Sequence, residues 1–185
     1  MTTSSGQTYL AIPGPSVIPE EVLRSMHRSA PNIYEGELIE ITKSLIPDLN
    51  YVARSSGNVA IYIANGHGIW EAALSNITTA NDHILVLATG RFAHGWAEMA
   101  RKLGVKVDVV DFGKNKALDI EVLAKKIKSE PKNKYKAILM THVDTSTSVK
   151  NDIFNVRKKL DEINCPALLA VDCIASLACD KFEMD

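Results

Sequence analysis

The feature of this chain that most constrains its fold is a regular alternation between short apolar runs and longer stretches of helical periodicity. Five apolar runs occur, at residues 59–64, 83–88, 105–110, 135–140 and 167–171. They are apolar almost throughout, which is typical of strands that are covered on both faces of a parallel sheet. The alternation therefore predicts a layered α/β domain with a largely parallel sheet.

Helical patterns fill the intervals between these runs and also precede them. The four intervening helices are predicted at residues 69–77, 92–103, 120–129 and 153–163. Asp119 and Asp152 are placed to cap the last two. Upstream, an amphipathic helix is predicted to bend or break near Pro47. A short helix over residues 20–28 follows residues 12–19, whose three prolines predict an extended arm.

Composition narrows the class of protein. The 185 residues are 46% hydrophobic and 23% charged, which is ordinary for one globular domain, and the net charge of −1 argues against nucleic acid or an anionic membrane as a partner. No apolar run approaches the roughly 20 residues of a membrane helix, and no secretory signal is readable at the start. Three cysteines without metal-ligand spacing, which we expect in strands or helices, favour a reducing, cytoplasmic compartment: Cys165, Cys173 and Cys179. The lysine-rich stretch 125–136 predicts a solvated surface.

Ligands of open α/β sheets bind beyond the carboxyl ends of the strands, so the residues that follow each run are the candidates for chemistry. Asn65-Gly66-His67-Gly68 follows the first run and opens a helix, where free amides and the helix dipole favour a phosphate. A tight structural turn is the alternative. The segment is neither a P-loop nor the dinucleotide fingerprint GxGxxG.

Asp172 ends the last apolar run, where a carboxylate is costly unless a cation or several donors meet it. It is either the partner of a cationic ligand group or a turn residue, and Phe92 is either a ligand contact or core filler. His67 and His142, with Asp144 or Asp172, lack the spacing of metal ligands, so no metal site is predicted.

Five segments carry a likeness to a known family. They are Pro13-Gly14-Pro15-Ser16, Gly66-His67-Gly68-Ile69-Trp70-Glu71-Ala72-Ala73-Leu74, Thr89-Gly90-Arg91-Phe92, Thr141-His142 with Asp144-Thr145-Ser146-Thr147, and Leu169-Ala170-Val171-Asp172. In this order they resemble the class V pyridoxal-phosphate-dependent aminotransferases, in the alanine–glyoxylate and serine–glyoxylate branch. The resemblance implies that family's three-layer large domain with a mainly parallel sheet.

The resemblance also implies which residues hold the cofactor, pyridoxal 5'-phosphate. Asn65, Gly66 and His67 match the segment that binds the phosphate group. Phe92 matches the aromatic residue that stacks on the pyridine ring, and Thr145 matches the hydroxyl that reaches the ring's phenolic oxygen.

Two further residues of the likeness match residues that contact the pyridine ring. Asp172 matches the catalytic carboxylate on the pyridine nitrogen, and Ile174 matches the apolar residue under the ring. A protonated pyridine nitrogen makes the ring an electron sink. Ser148 departs from the family, which often has glycine there.

The family's Schiff-base lysine lies beyond Asp185, and neither Lys150 nor Lys181 matches its motif. We therefore expect the chain to be the N-terminal part of an aminotransferase: residues 1–35 form an arm and a short helix, residues 36–185 begin the cofactor-binding large domain, and the small C-terminal domain is absent.

The function that the resemblance implies is transamination from a small amino acid, serine or alanine, to a 2-oxo acid such as glyoxylate, by a homodimer. Three alternatives stay open. A lyase or desulfurase of the same fold would use a reactive cysteine. A nicotinamide-dependent oxidoreductase is disfavoured by the missing GxGxxG, and a non-catalytic fragment would act only by association.

Overall fold

The computed structural model describes residues 10–185, so the start of the predicted arm lies outside the described residues. The chain divides into two compact units, one up to Leu49 and one over residues 50–185. Residues 10–19 contain no helix or strand, as expected. The helices that follow are α1 (Glu20–Met26) and α2 (Glu37–Ala53), and none of their residues is buried. Helix α2 continues through Pro47, so of the predicted bend or break the break does not occur.

The second unit has the predicted alternation of strand and helix. Its elements are α3 (Gly66–Ile77), β1 (His83–Ala88), α4 (Arg91–Lys102), β2 (Lys106–Asp111), α5 (Ile120–Lys128), β3 (Tyr135–Thr141), β4 (Val143–Asp144), β5 (Val149–Lys150), α6 (Ile153–Glu162) and β6 (Leu168–Asp172). Four strands form a parallel sheet in the order β2-β1-β3-β6, and β4 pairs with β5 in a small antiparallel hairpin. That hairpin was not predicted, because strands of two residues are too short to show an alternating pattern of apolar and polar residues.

Helices cover both faces of the parallel sheet, which confirms the three-layer α/β fold. On one face Ile84 and Val86 of β1 pack against Trp70 of α3 and Trp96 of α4. On the opposite face the neighbouring β1 residues pack against α5 and α6, through Leu123, Val156 and Leu160. Side chains of a strand point alternately to the two faces, so a strand that is covered twice must be apolar throughout.

The first predicted strand, residues 59–64, does not form. Among the residues that the structure describes no strand pairs with this segment, and Ile61, Tyr62 and Ile63 are exposed. An apolar run forms a strand only where a neighbour accepts its backbone hydrogen bonds, so the run alone was insufficient evidence.

The turn and surface predictions have mixed outcomes. Asp119 caps α5 and Asp152 caps α6, as predicted. The prediction that the lysine-rich stretch forms a solvated surface is wrong in part, because Lys126 and Lys134 are half-buried and paired with carboxylates. The cysteines lie in loops and not in strands or helices. Between residues 10 and 185 no helix has the length and apolar character needed to cross a bilayer.

The connections of the central strands place a crevice between β1 and β3. Strand β1 leads through α4 on one face to β2, whereas β3 leads through α6 on the other face to β6. Ligands of such sheets bind where the connections diverge, outside the carboxyl ends of the strands.

Candidate functional site

Helix α3 presents two free backbone donors at its start. The Asn65 side chain caps the helix by accepting a hydrogen bond from the Gly68 amide at 3.1 Å. Within the described residues, no acceptor pairs with the amides of Gly66 or His67. These amides and the helix dipole form an arrangement that suits a phosphate group. A Cβ atom on Gly68 would lie 2.7 Å from the Ala64 Cβ, so this tight entry to the helix needs glycine there.

Asp172 is the last residue of β6, and two donors fix its half-buried carboxylate. The Trp70 indole N–H donates to Oδ2 at 2.9 Å, and the Ile174 amide donates to Oδ1 at 2.9 Å. An ionised carboxylate has about four acceptor positions, so these two bonds leave capacity for another donor. The carboxylate is therefore oriented and still able to accept a hydrogen bond from a charged N–H group.

Aromatic side chains connect the start of α3 with the start of α4. The His67 ring lies 4.6 Å from the Trp70 ring and 6.4 Å from the Phe92 ring, measured between centroids. Trp70 also stacks on the buried Trp96 at 5.7 Å, with an interplanar angle of 13°. The Trp70 side chain therefore contacts Asp172 through its indole N–H, and its ring lies next to His67 at the start of α3 and Phe92 at the start of α4.

Ile174 lies close to the start of α3. A Cβ atom on Gly66 would be 3.8 Å from the Ile174 Cδ1, and the Ile174 side chain is 71% exposed. The structure thus brings together six of the residues singled out in the sequence, on three segments of the chain: Asn65, Gly66, His67, Phe92, Asp172 and Ile174.

Thr145, the seventh, is half-buried in the turn between β4 and β5 and joins this group indirectly. Its neighbour Asp144 is completely buried. Asp144 Oδ2 accepts hydrogen bonds from the amides of Phe92 at 3.0 Å and Ala93 at 3.3 Å. Asp144 Oδ1 accepts from the Ser146 amide and hydroxyl at 3.0 and 2.6 Å. One carboxylate therefore fixes both the turn that carries Thr145 and the helix start that carries Phe92.

The sequence analysis missed this role of Asp144, although a signal was present. Helix α4 begins after Gly90, which has no side chain to cap the first amides. Those donors need an acceptor from elsewhere in the chain. A Cβ atom on Gly90 would lie 2.3 Å from the Asp144 Cγ, so the glycine is what admits the carboxylate.

A second missed residue is Asn151, which is fully buried beside the crevice. Its amide nitrogen donates to the Thr89 hydroxyl and to the Thr141 carbonyl, both at 2.9 Å. Its side-chain oxygen accepts from the Leu118 amide at 3.0 Å. Asn151 thereby ties together the segments that follow β1 and β3. A buried asparagine has no periodic signature, so its role follows only from tertiary structure.

Ser148 keeps the backbone conformation that glycine favours. Its φ is +58°, in the left-handed region, and its amide donates to the Asp144 carbonyl at 2.8 Å. The replacement of the family's glycine therefore leaves the turn's left-handed residue in place.

The chemistry of a cationic ring with a phosphate group fits these residues. The free amides at the start of α3 suit an anion, and Asp172 has capacity for a charged N–H donor. Thr141, which pairs with Asp172 in the sheet register, has a buried hydroxyl without a partner among the described residues. No group of three or more His, Cys, Asp or Glu side chains in residues 10–185 could hold a metal ion.

Comparison with known proteins identifies the class. Residues 51–185 match the family described as Aminotransferase class-V, so the chain belongs to this family. Membership implies pyridoxal phosphate as the cofactor.

The relatives include proteins named serine–glyoxylate aminotransferase. The protein from Arabidopsis thaliana is 35% identical over 97% of this chain and 45% of its own length. The protein from Methylorubrum extorquens is 33% identical over 100% of this chain and 46% of its own length. The chain thus spans less than half the length of these curated relatives. Among solved structures, the subgroup IV aspartate aminotransferase of Thermus thermophilus has the same fold, with a TM-score of 0.85 and 23% identity over 96% of this chain and 49% of its own.

Proposed function

We propose that the full-length protein is a pyridoxal-phosphate-dependent transaminase that moves an amino group from serine or alanine to a 2-oxo acid such as glyoxylate. The names of the relatives from Arabidopsis and Methylorubrum support serine and glyoxylate as substrates. The observation that carries the proposal is the carboxylate of Asp172, oriented by Trp70 beside a helix start with two free amides.

In this proposal, the residues of the chain form one wall of the cofactor site. Asn65, Gly66 and His67 hold the phosphate, because the free amides and the helix dipole attract an anion. The aromatic ring of Phe92 lies against the pyridine ring, and Thr145 donates to or accepts from its phenolic oxygen. Ile174 supplies an apolar surface to the opposite face of the ring.

Asp172 keeps a proton on the pyridine nitrogen by electrostatic attraction. When bound, pyridoxal phosphate supplies an electron-withdrawing ring that stabilises negative charge on the substrate carbon. A pair of opposite charges about 4 Å apart, at an effective dielectric constant near 20, is worth roughly 4 kcal/mol before desolvation. The Trp70 bond to Oδ2 holds the carboxylate in one orientation, so little energy is spent on reorganisation.

The lysine that binds the cofactor covalently is proposed to lie outside these 185 residues. Lys150 is exposed and its Nζ lies 2.5 Å from Asp180 Oδ2. Lys181 is exposed and its Nζ lies 3.3 Å from Glu183 Oε2. Each lysine is therefore already paired with a carboxylate at the surface.

The alternatives are weaker on specific observations. A desulfurase or lyase with a reactive cysteine needs an accessible thiolate. Burial, and then the neighbouring Asp172, raise the pKa of the Cys173 thiol, which disfavours the nucleophilic form of the cysteine that directly follows Asp172. A nicotinamide-dependent oxidoreductase would need a glycine-rich fingerprint after a strand, and the glycine-rich segment here follows a stretch that forms no strand.

The proposal extends to partners and compartment. We infer a homodimer in the cytoplasm that takes small amino acids and 2-oxo acids as substrates and has no nucleic-acid or membrane partner. Light scattering of the full-length protein after size exclusion measures the oligomeric state directly, and a monomer that binds the cofactor fully would contradict the dimer.

Asp172→Asn in the full-length protein tests the proposal. We expect a loss of up to about a thousandfold in the single-turnover rate, because roughly 4 kcal/mol of charge stabilisation disappears. The new amide also turns one N–H group toward a donor, either Trp70 or Ile174. The control is Trp70→Phe, which removes that hydrogen bond but keeps the charge, and should lose far less. An Asp172→Asn protein that binds the cofactor and transaminates at the wild-type rate would remove the main support for the proposal.

A further inference from the structure

We propose that the buried pair His142 and Ser176 positions the Asp172 carboxylate, by clamping the turn that follows β6 to the end of β3. Neither residue is among those proposed above to contact the cofactor. This role for the reaction rests on the proposed function, whereas the clamp itself is a property of the chain.

The pair is buried and directly bonded. His142 is 3% exposed and Ser176 is 2% exposed. The Ser176 Oγ lies 2.9 Å from the His142 Nδ1, and the Ser176 hydroxyl also lies 3.3 Å from the Cys173 carbonyl oxygen. Buried polar atoms that are linked by hydrogen bonds hold their relative positions strongly. Breaking one of these bonds leaves its buried partner without water or another group to bond to, which costs free energy.

The backbone of His142 makes a second attachment to the same turn. Its amide donates to the Asp172 carbonyl at 2.8 Å. Its carbonyl accepts from the amide of the buried Asn151, also at 2.8 Å. His142 thus binds the end of β6 through its backbone and the residue four positions later through its ring, and the β3 side of the contact is itself anchored.

The clamped turn determines where the carboxylate points. The amides of Ser176 and Leu177 donate to the Cys173 carbonyl at 3.0 and 2.8 Å, which closes the turn. Within it, the Ile174 amide holds Asp172 Oδ1 at 2.9 Å. If the turn shifted, this amide would move, and the carboxylate would keep only the Trp70 bond to Oδ2. His142 and Ser176 therefore act on Asp172 through the Ile174 amide.

The pair is uncharged near neutral pH. Burial lowers the pKa of His142 and outweighs the neighbouring Asp180, which raises it; Lys150 and Asp152 have weaker and opposite effects. Because the pair carries no charge, its substitution changes the position of Asp172 without changing the electrostatic potential at the cofactor. Its expected influence on the rate is therefore geometric, and a misplacement of about 1 Å in such a group costs up to roughly a hundredfold.

The first test uses the full-length protein without cofactor. The Trp70 indole N–H resonance is assigned as the one that disappears in a Trp70→Phe variant. Ser176→Ala should shift or split the Trp70 resonance, because the carboxylate that accepts its hydrogen bond loses its fixed orientation. The matched control is Val156→Ala, which removes buried side-chain atoms from the core beside α6 and should leave the resonance in place. An unchanged Trp70 resonance in Ser176→Ala would overturn the clamp, whether or not the protein is a transaminase.

The second test measures the reaction in the full-length protein. Ser176→Ala and His142→Leu should each lower the single-turnover rate about tenfold to a hundredfold. His142→Asn, which can keep a hydrogen-bonding atom near the position of Nδ1, should recover most of that loss. The positioning role is overturned if His142→Leu reacts at the wild-type rate, or if His142→Asn is as slow as His142→Leu, or if Val156→Ala is equally slow. A wild-type protein that binds pyridoxal phosphate but transaminates no small amino acid would instead overturn the proposed function.

Discussion

At some positions a neighbouring group lies so close to the backbone that only glycine fits, and the clearest example is Gly90. A Cβ atom there would lie within 2.4 Å of two atoms of the buried Asp144 carboxylate. Gly90→Ala should destabilise the chain by at least about 2 kcal/mol, from overpacking and from loss of the bonds that cap α4. Gly95→Ala is the control within the same helix: its Cβ would meet Trp70 at 3.4 Å, and it should be neutral or stabilising. Urea unfolding of both variants gives the comparison, and equal midpoints would show that Asp144 can move aside.

Ser148 is the opposite case, since a side chain occupies a position that favours glycine. Its φ of +58° costs an ordinary residue about 1 kcal/mol. We expect Ser148→Gly to raise the free energy of unfolding by about 0.5–1 kcal/mol. Ser75→Gly, at an exposed position in the last turn of α3, should lower it by up to a similar amount. Thermal unfolding distinguishes the two signs, and a loss of stability in Ser148→Gly would show that the serine side chain stabilises the turn.

At the scale of elements, an ion cluster attaches α5 and the start of β3 to β2. Asp108 Oδ2 accepts from Lys134 Nζ at 2.7 Å and from the Tyr135 hydroxyl at 2.6 Å, and Lys134 also pairs with Glu130. Burial raises the pKa of Asp108, but the bonds from Lys134 and Tyr135 outweigh it and hold that pKa well below its usual range.

Asp108→Asn should therefore cost about 1–3 kcal/mol, because it leaves the buried Tyr135 hydroxyl and Lys134 with a weaker partner. The matched control is Asp111→Asn on the same strand, whose carboxylate is about half exposed and pairs with His94. It should cost less than about 1 kcal/mol. Urea unfolding at low and high salt measures both, and equal costs would mean that the cluster is no stronger than a surface pair.

The same elements show what a sequence can predict. The strands β1 and β3 were found because burial on both faces demands continuous apolar residues, as in Ile84–Ala88, where every residue is buried. Residues 59–64 are similarly apolar but pair with no strand in the described part of the chain, and apolar character alone carries no information about pairing. Asp172 and Phe92 could be placed at one edge because the parallel strands β6 and β1 end together. Gly66 was assigned to that edge from a strand that does not form. The roles of Asp144 and Asn151 could not be predicted, because they depend on bonds to Phe92, Leu118 and Thr89, which lie 33 to 62 residues away in the chain.

At the scale of the whole molecule, His142 makes stability depend on pH. Its pKa is lowered in the folded chain, first by burial, from an ordinary value near 6.5. Below that pH the unfolded chain binds a proton that the folded chain resists, so the free energy of unfolding falls as the pH falls. The slope should approach at most about 1.4 kcal/mol per pH unit between pH 6.5 and 5, above the range in which the carboxylates titrate. His142→Asn should flatten it in urea unfolding, and an unchanged slope would assign the effect to other groups.

The final prediction concerns what these 185 residues can do with the cofactor by themselves. The chain has the arrangement proposed for the phosphate and the pyridine nitrogen, but Lys150 and Lys181 are exposed and paired with Asp180 and Glu183. A surface lysine that forms an ion pair lacks the desolvation that makes a lysine nucleophilic at neutral pH. We therefore expect borohydride treatment of the chain with pyridoxal phosphate to give only substoichiometric lysine adducts, spread over several sites by peptide mass spectrometry. The full-length protein should give one stoichiometric adduct at a lysine outside residues 1–185. A stoichiometric adduct at Lys150 or Lys181 would contradict this prediction. It would show that the lysine that binds the cofactor lies within these 185 residues, in the same chain segment as Asp172 and Phe92.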